Sequence, residues 1–230
     1  MKKHTHTHMG GQKRKMKSFR FLTELDHNNY EIGQSNKSKD TGVITALLST
    51  DDRRGYRTLE PMPISFDVDA AVKRTHQLTP QMTRDSEEIK ALKKFENGIL
   101  KKWIGDEFDE SHVQSVVNDH NPKYQPFFKT KISFDTKGEC FKCEYLIKDK
   151  ETGKKISVNF PDNIPRHTRV SVLCIPFSVY RNNKEYGMQF FARNVFDDGR
   201  DEENVNVFDD DDDDDDEAHA SQETVEDAFN

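Results

Sequence analysis

Long apolar segments and cysteines are scarce in this chain. Hydrophobic residues make up 33% of its 230 positions, and because no run of about 18 apolar residues occurs, the sequence predicts no membrane-spanning helix. The cysteines number three, an odd count that does not suit a fully paired disulfide framework. No apolar segment typical of a secretory signal occurs near the start. We therefore expect an intracellular protein without a membrane partner.

Signatures of catalysis are also missing. The chain has no glycine-rich phosphate loop, no zinc-protease motif, no serine-hydrolase elbow and no kinase signature. Asp67 and Asp69 form an isolated carboxylate pair, which offers too few ligands for a metal-dependent nuclease. Cys140 and Cys143 have the spacing of half a zinc site, but residues three apart on a strand point to opposite faces, so we interpret them as core cysteines. The sequence predicts no enzyme, no metal and no cofactor.

Charge is divided unequally along the chain. Residues 197–230 contain 17 acidic residues and one basic residue, whereas the whole chain has a net charge of −7. The first 196 residues are therefore basic. Because densely spaced like charges repel one another and bury no apolar surface, residues 197–230 are predicted to be a disordered acidic tail.

The first 17 residues are predicted to be a disordered basic N-terminus. Lys13, Arg14, Lys15 and Lys17 form a compact cationic cluster. Such a cluster is typical of a nuclear-import signal, a phosphate-binding arm or a plain solvated terminus, and all three interpretations stay open. Residues 18–196 have the length of a single domain of ordinary size.

Hydrophobic spacing predicts one clear helix in this domain. It begins near Asp85, and its apolar positions are Ile89, Leu92, Phe95, Ile99 and Trp103. A weaker pattern predicts a second helix over Asp109–Val117. Runs of β-branched and aromatic residues between turn residues predict strands over Val43–Leu48, Ile64–Val68, Phe127–Phe134, Cys140–Ile147, Lys155–Phe160, Thr168–Ile175 and Tyr186–Phe196. The expected fold is mostly β with one or two helices, built around an OB-like five-stranded barrel.

Cations and aromatic rings are interleaved through the predicted strands. Single-stranded nucleic acid requires this combination, because cations follow the phosphates and flat rings stack on unpaired bases. Strand aromatics more often belong to the core, so strand alternation must separate the two uses. In the last strand we assign Phe190 to the core face and, to the open face, Gln189, Phe191, Arg193 and Val195. The candidate nucleic-acid-binding residues are Lys129, Lys131, Lys142, Arg169, Tyr180, Arg181, Lys184, Tyr186, Gln189, Phe191 and Arg193.

Three segments in a fixed order carry a family resemblance. They are the amphipathic stretch from Lys94 to Trp103, the stretch from Tyr124 to Lys131 that leads to Phe141, and the hairpin from Val170 to Val195. Over residues 90–196 the chain resembles the OB-fold single-stranded-DNA-binding proteins of nucleocytoplasmic large DNA viruses, of the algal-virus and African swine fever virus type. The resemblance implies non-specific single-strand binding in viral DNA replication, recombination or repair, in the host cytoplasm (viral factory) or nucleus. By matching segment it implies contacts from Lys129, Lys131, Tyr180, Lys184, Tyr186 and Arg193.

The acidic tail resembles those of phage and bacterial single-strand-binding proteins. That resemblance implies docking of replication proteins such as polymerase, primase or helicase through Phe229, although Asn230 departs from the usual ending. We also expect the tail to compete with DNA for the basic groove, since a polyanion mimics phosphate. Its candidate residues are Asp209, Asp210, Asp211, Asp212, Asp213, Asp214, Asp215 and Asp216. The alternatives are an acidic-tailed chaperone or interaction module for basic proteins and an RNA-binding protein.

Overall fold

The computed structural model describes residues 19–51, 54–72, 76–135, 140–149 and 151–200. The predicted basic N-terminus and the tail residues Asp209–Asp216 and Phe229 lie outside this part of the chain. The strands of the first half are β1 (Arg20–Phe21), β2 (Glu31–Ile32), β3 (Asn36–Lys37), β4 (Ile44–Ser49), β5 (Tyr56–Arg57), β6 (Met62–Pro63), β7 (Val68–Asp69) and β8 (Gln77–Leu78). Those that follow are β9 (Val113–Gln114), β10 (Val117–Asn118), β11 (Phe127–Phe128), β12 (Thr130–Lys131), β13 (Phe134–Asp135), β14 (Cys140–Phe141), β15 (Glu144–Lys148), β16 (Lys155–Val158), β17 (Asn163–Ile164), β18 (Thr168–Arg181) and β19 (Tyr186–Arg200).

One α-helix, α1 (Glu87–Ile104), accompanies these strands. The side chain of Ser86 caps its N-terminus by accepting a hydrogen bond from the backbone N–H of Ile89 at 3.3 Å. Gly105, with φ of 73°, ends the helix in a left-handed conformation that glycine adopts without steric cost. Single-turn 3-10 helices occur at Leu22–Glu24, His27–Asn29, Gly105–Glu107 and Glu110–His112. Among the described residues no helix is both long and apolar enough to cross a membrane.

The long hairpin of β18 and β19 is the centre of the sheet. The Asn182 side chain stabilises its turn by accepting hydrogen bonds from the backbone N–H groups of Lys184 and Glu185 at 2.8 and 2.7 Å. β18 pairs along its other edge with β4, β5 and β6, all antiparallel. β19 pairs along its other edge with β9, β12 and β15, all parallel. Short segments from the whole chain are thus aligned on one two-stranded ribbon.

The core lies between this ribbon and α1. Leu92, Phe95 and Ile99 of the helix are at most 1% exposed, and the Phe95 ring lies 6.1 Å from that of Phe190 on β19. Phe190 also meets the ring of Phe128 edge-on at 5.2 Å. The helix therefore covers one face of the ribbon, as its apolar spacing predicts.

A bulge in β19 changes which side chains face the core, compared with the predicted alternation. Leu173 pairs with Asn194 and Cys174 with Ala192, so Arg193 is an extra residue between two registered pairs. Up to this point the prediction holds, with Phe190 buried and Phe191 on the opposite face. Beyond the bulge the alternation is inverted, and Val195, which we expected on the open face, is fully buried.

The mostly β prediction with one helix is confirmed, and several finer predictions are not. Asp109–Val117 forms a 3-10 turn followed by strand residues rather than a second α-helix, because Val113 pairs with Tyr186 and Val117 with Phe128. The main sheet follows the order β1-β5-β18-β19-β12-β8, and within the described residues this path does not close into a barrel. β19 also continues through Arg200, so the sheet includes the first residues assigned to the tail.

Candidate nucleic-acid interface

The ribbon has a second face, opposite α1, which we call the open face. Residues that are direct partners across paired strands point to the same side of a sheet. The register therefore places Ile175, Phe191 and Lys131 in one row of this face. Further along the ribbon it places Arg57, Leu173 and Asn194 in another row. The open face carries the aromatic and cationic residues Phe19, Phe21, Arg57, Lys131, Lys155, Phe177, Phe191, Arg193 and Phe196.

Arg57 occupies the middle of an aromatic and cationic cluster at one end of the open face. Its guanidinium carbon lies 5.0 Å from the ring centre of Phe196 and 5.4 Å from that of Phe19. Lys155 approaches the Phe196 ring with its ammonium group 4.4 Å from the centre. Cation–π attraction holds both charges in place while leaving their positive charge uncompensated.

The exposed rings of this end belong to Phe19 and Phe21. They are 40% and 37% exposed and contact each other edge-on at 5.8 Å. Pairing of β1 with β5 aligns Phe21 with Arg57. Phe196, by contrast, is only 8% exposed under its cations, so it positions them rather than offering a ring to a ligand.

A second pair of rings lies toward the hairpin turn. Phe177 and Phe191 pack edge-on with their centres 4.6 Å apart, and each is half-buried. Lys131 is the strand partner of Phe191. Arg193, two residues further along β19, is exposed at the bulge. Among the described residues, Arg57, Lys155 and Arg193 form no ion pair with a carboxylate.

No protein-family model matches this chain, and no curated protein is significantly similar to it.

Two predicted stacking residues have structural contacts instead. The ring of Tyr180 lies against Gly187, and its hydroxyl donates to Oε1 of Gln114 at 2.5 Å. Burial raises the pKa of Tyr180. Tyr186 is 5% exposed, and its hydroxyl exchanges hydrogen bonds with the backbone N–H and carbonyl of Asp109, both at 2.5 Å. Both hydroxyls are therefore engaged in holding loops to the hairpin.

Lys129 is half-buried, and its charge lies close enough to the carboxyl group of Glu96 on α1 for the two to interact. Glu96 is 1% exposed and accepts hydrogen bonds from the Ser115 hydroxyl at 2.7 Å and the Val116 N–H at 3.0 Å. Burial raises the pKa of Glu96 to about 7, against the opposing effect of these bonds and of Lys129. Burial likewise lowers the pKa of Lys129. The charge of Lys129 is therefore partly offset by that of Glu96.

The remaining predicted cations are distributed around the edges. Lys142 pairs with Asp135 at 3.3 Å and Arg181 with Glu107 at 3.3 Å, while the guanidinium of Arg169 donates to the carbonyl of Pro61 at 3.0 Å. Lys184 is exposed in the hairpin turn.

Gln189 faces the same side as Phe191. It is 9% exposed and lies 3.5 Å from the Ser178 hydroxyl. Of the predicted interface set, the structure brings together Lys131, Phe191 and Arg193.

The sequence analysis missed Phe19, Arg57 and Lys155. Arg57 reaches the face through the pairing of β5 with β18, which are separated by more than 100 residues, and no local pattern signals such a pairing. The sequence does contain one signal for Phe19, which is its alternation with Phe21 next to a basic cluster.

The two cysteines whose side chains are described, Cys143 and Cys174, are buried, and no group of three metal-ligating side chains occurs in the described part of the chain. Asp67 and Asp69 accept backbone hydrogen bonds from Arg166 and Ala71.

Proposed function

We propose that this protein binds single-stranded DNA without sequence preference through the open face. The observation that carries the proposal is that Arg57, Lys155 and Arg193, without carboxylate partners among the described residues, share one sheet face with exposed phenylalanine rings. Phosphates supply the missing negative charge, and unpaired bases supply flat surfaces for the rings.

The length of the face suits a short stretch of strand. Ser171, beside the Arg57 cluster, and Phe177 are six residues apart on β18, a separation of about 20 Å at roughly 3.3 Å per residue. A face of this length accommodates a site near the smaller end of the range of about 4–16 nucleotides known for OB folds. We assign Phe19, Phe21, Phe177 and Phe191 to base stacking and Arg57, Lys131, Lys155 and Arg193 to phosphates.

Exposed rings favour unpaired over paired nucleic acid. In a duplex the faces of the bases are covered by their neighbours, so rings on a sheet surface gain nothing from stacking. This assignment implies no sequence preference, because rings stack on any base and phosphate contacts carry no sequence information. An OB-like arrangement of the strands, a role in viral DNA replication, and docking of replication proteins by the acidic tail are further parts of the proposal, supported by the resemblance of residues 90–196 and of the tail.

The proposal is tested by fluorescence anisotropy with a labelled oligo-dT over a series of salt concentrations. Wild-type protein should bind the oligo-dT more tightly than a duplex of the same length, with log K falling linearly against log salt. Lys155→Ala and Arg193→Ala should each reduce the magnitude of that slope by about 0.7, the value for one phosphate contact on a single strand. Lys101→Ala is the matched control, because Lys101 is exposed on the helix side of the molecule and should leave the slope unchanged.

Three outcomes would contradict the proposal. Equal or tighter binding of duplex would remove the stacking argument. Equal effects of Lys101→Ala and Arg193→Ala would show that only net charge matters. Binding of a basic protein such as a histone, with no binding of oligo-dT, would favour the alternative of an acidic-tailed chaperone. A parallel titration with oligo-rU distinguishes an RNA-binding protein.

A further inference from the structure

A further pair of rings, Phe66 and Phe127, lies outside the candidate interface. Phe66 is 56% exposed, and its ring meets that of Phe127 edge-on with the centres 5.3 Å apart. The backbone N–H of Phe66 donates to the hydroxyl of Thr79 at 3.2 Å, and that of Ser65 donates to the Thr79 carbonyl at 2.9 Å. These bonds hold the backbone that carries the exposed ring against the sheet. We call Phe66 and Phe127 the distal ring pair.

The strand register places the distal ring pair on the open face. Residues 127–131 lie opposite residues 77–81 in one constant antiparallel register. Side chains alternate between the two sides of a strand whose register is unbroken. Phe128 is fully buried against the core, so Phe127 and Lys131 both point to the other side of the sheet. Lys131 already belongs to the open face, and Phe127 therefore belongs to it as well.

The distal ring pair continues the line of the open face. β12 runs parallel to β19 with Lys131 beside Phe191, so residues that precede Lys131 lie toward the hairpin turn and away from the row of Arg57. Phe127 precedes Lys131 by four residues, a distance of about 13 Å at roughly 3.3 Å per residue. The Arg57 cluster, the Phe191 ring and the distal ring pair thus follow one another along one side of the sheet.

Cations accompany the distal ring pair. Lys123 is exposed, and its ammonium group lies 5.6 Å from the ring centre of Tyr124, which is 61% exposed. The guanidinium of Arg84 donates to the carbonyls of Asn121 and Tyr124 at 3.1 and 2.7 Å and so holds the loop that leads into Phe127. Within the described ranges, neither Lys123 nor Arg84 forms an ion pair with a carboxylate. Phosphates can supply the missing negative charge.

We propose that the distal ring pair is an additional stacking site, which a single strand reaches only when it is longer than the part of the open face between Arg57 and Phe191. The inference rests on the proposed function and extends the path of the bound strand. The added length of about 13 Å accommodates about two to three more nucleotides at the spacing assigned to the rest of the face.

The length of the oligo-dT separates this site from the rest of the face. Phe66→Ala should weaken binding of an oligo-dT of about 12 nucleotides by at least about fivefold, as the loss of one stacked base predicts. The same change should leave the affinity for an oligo-dT of about 4 nucleotides unaltered. Phe66→Leu keeps an apolar contact with Phe127 but offers no flat surface to a base, so it should show the same length-dependent loss.

Ile156→Ala is the matched control. Ile156 is 40% exposed, but its strand partner Ile147 is also the partner of Asp197, so both face away from the side that carries Phe196. This variant should leave the affinity for both lengths unchanged. Urea unfolding of each variant shows that the protein compared is folded, and Phe66→Leu carries the test where the alanine variant is unstable.

Photocross-linking locates the bound strand directly. An oligo-dT of about 12 nucleotides with 5-iodouracil at one end should cross-link to the peptide that carries Phe66 or Phe127, and one of about 4 nucleotides should not. Equal losses at both lengths, or full affinity in Phe66→Leu, would overturn the inference, because the ring would then not stack on the far end of a strand. No binding of oligo-dT by the wild type would refute the proposed function. Binding at both lengths that Phe66→Ala does not change would refute this inference alone and assign the distal ring pair to another kind of partner.

Discussion

Ionisation of Glu96 should lower the stability of the fold as the pH rises toward neutrality. In the unfolded chain this carboxyl has its ordinary pKa of 4.5, whereas burial in the folded state raises the pKa to about 7. Between these two pH values the folded protein retains a proton that the unfolded chain has released. Stability therefore falls as the pH rises through this window, and the difference between the two pKa values corresponds to about 3 kcal/mol.

Glu96→Gln removes this titration and keeps the local hydrogen bonds. The amide oxygen can accept from the Val116 N–H, and the amide nitrogen can donate to the Ser115 hydroxyl. The variant should match the wild type closely below pH 4 and exceed it at pH 8 by at most about 3 kcal/mol. The gain is reduced by whatever Lys129 loses when its neighbouring charge is removed.

Urea unfolding between pH 4 and pH 8.5, followed by the fluorescence of the single tryptophan, Trp103, measures the difference. Trp103 suits this assay because it is half-buried against the core, with its indole N–H on the Ser35 hydroxyl at 3.1 Å. Glu88, whose pKa is also raised by burial, is present in both proteins and cancels in the comparison. A stability difference that does not vary with pH, or that grows toward acid, would refute the reasoning. Lys129→Met is the control, because losing this cation should extend the window to higher pH.

Other substitutions test the packing of the hairpin and the core. Gly187→Ala would place a Cβ 2.7 Å from both the Tyr180 hydroxyl and the Gln114 carbonyl oxygen, so we expect a loss of about 2 kcal/mol in urea unfolding; an unchanged midpoint would show that the contact yields freely. Thr130→Val should raise the free energy of unfolding by about 1 kcal/mol, because Thr130 is fully buried and its hydroxyl has no partner within the described residues; destabilisation would reveal a partner for that hydroxyl. Tyr186→Phe should cost about 1–2 kcal/mol through the lost bonds to Asp109 and leave oligo-dT affinity unchanged, whereas weaker binding would assign this residue to the interface.

Local sequence patterns predicted the elements that depend on local physics. The spacing of Leu92, Phe95 and Ile99 predicted α1, and runs of β-branched and aromatic residues predicted the parts of β18 and β19 over Thr168–Ile175 and Tyr186–Phe196. Asp109–Val117 was predicted as a helix but forms strands, because it pairs with Tyr186 and Phe128. Those partners lie outside the segment, so its own sequence cannot reveal the pairing.

The candidate interface was only partly predictable for the same reason. Phe191 and Arg193 follow from alternation along one strand, but a one-residue bulge at Arg193 inverts the pattern and buries Val195. Tyr180 and Tyr186 are aromatic, as residues that stack on bases are. Only the hydrogen bonds of their hydroxyls to Gln114 and Asp109 reveal a structural role. Arg57 can be assigned to this face only from the pairing of β5 with β18, which the sequence does not show.

The position of the hairpin in the chain determines the order in which the fold can assemble. β4, β5, β6, β9, β12 and β15 all pair with β18 or β19, which come last in the described sequence. During synthesis the first 160 or so residues have no central strands to add to, and the sheet can form only when its closing ribbon leaves the ribosome. A ribosome stalled shortly before residue 168 would therefore present local strand pairs, such as β2 with β4 and β15 with β16, without the ribbon that joins them into one sheet.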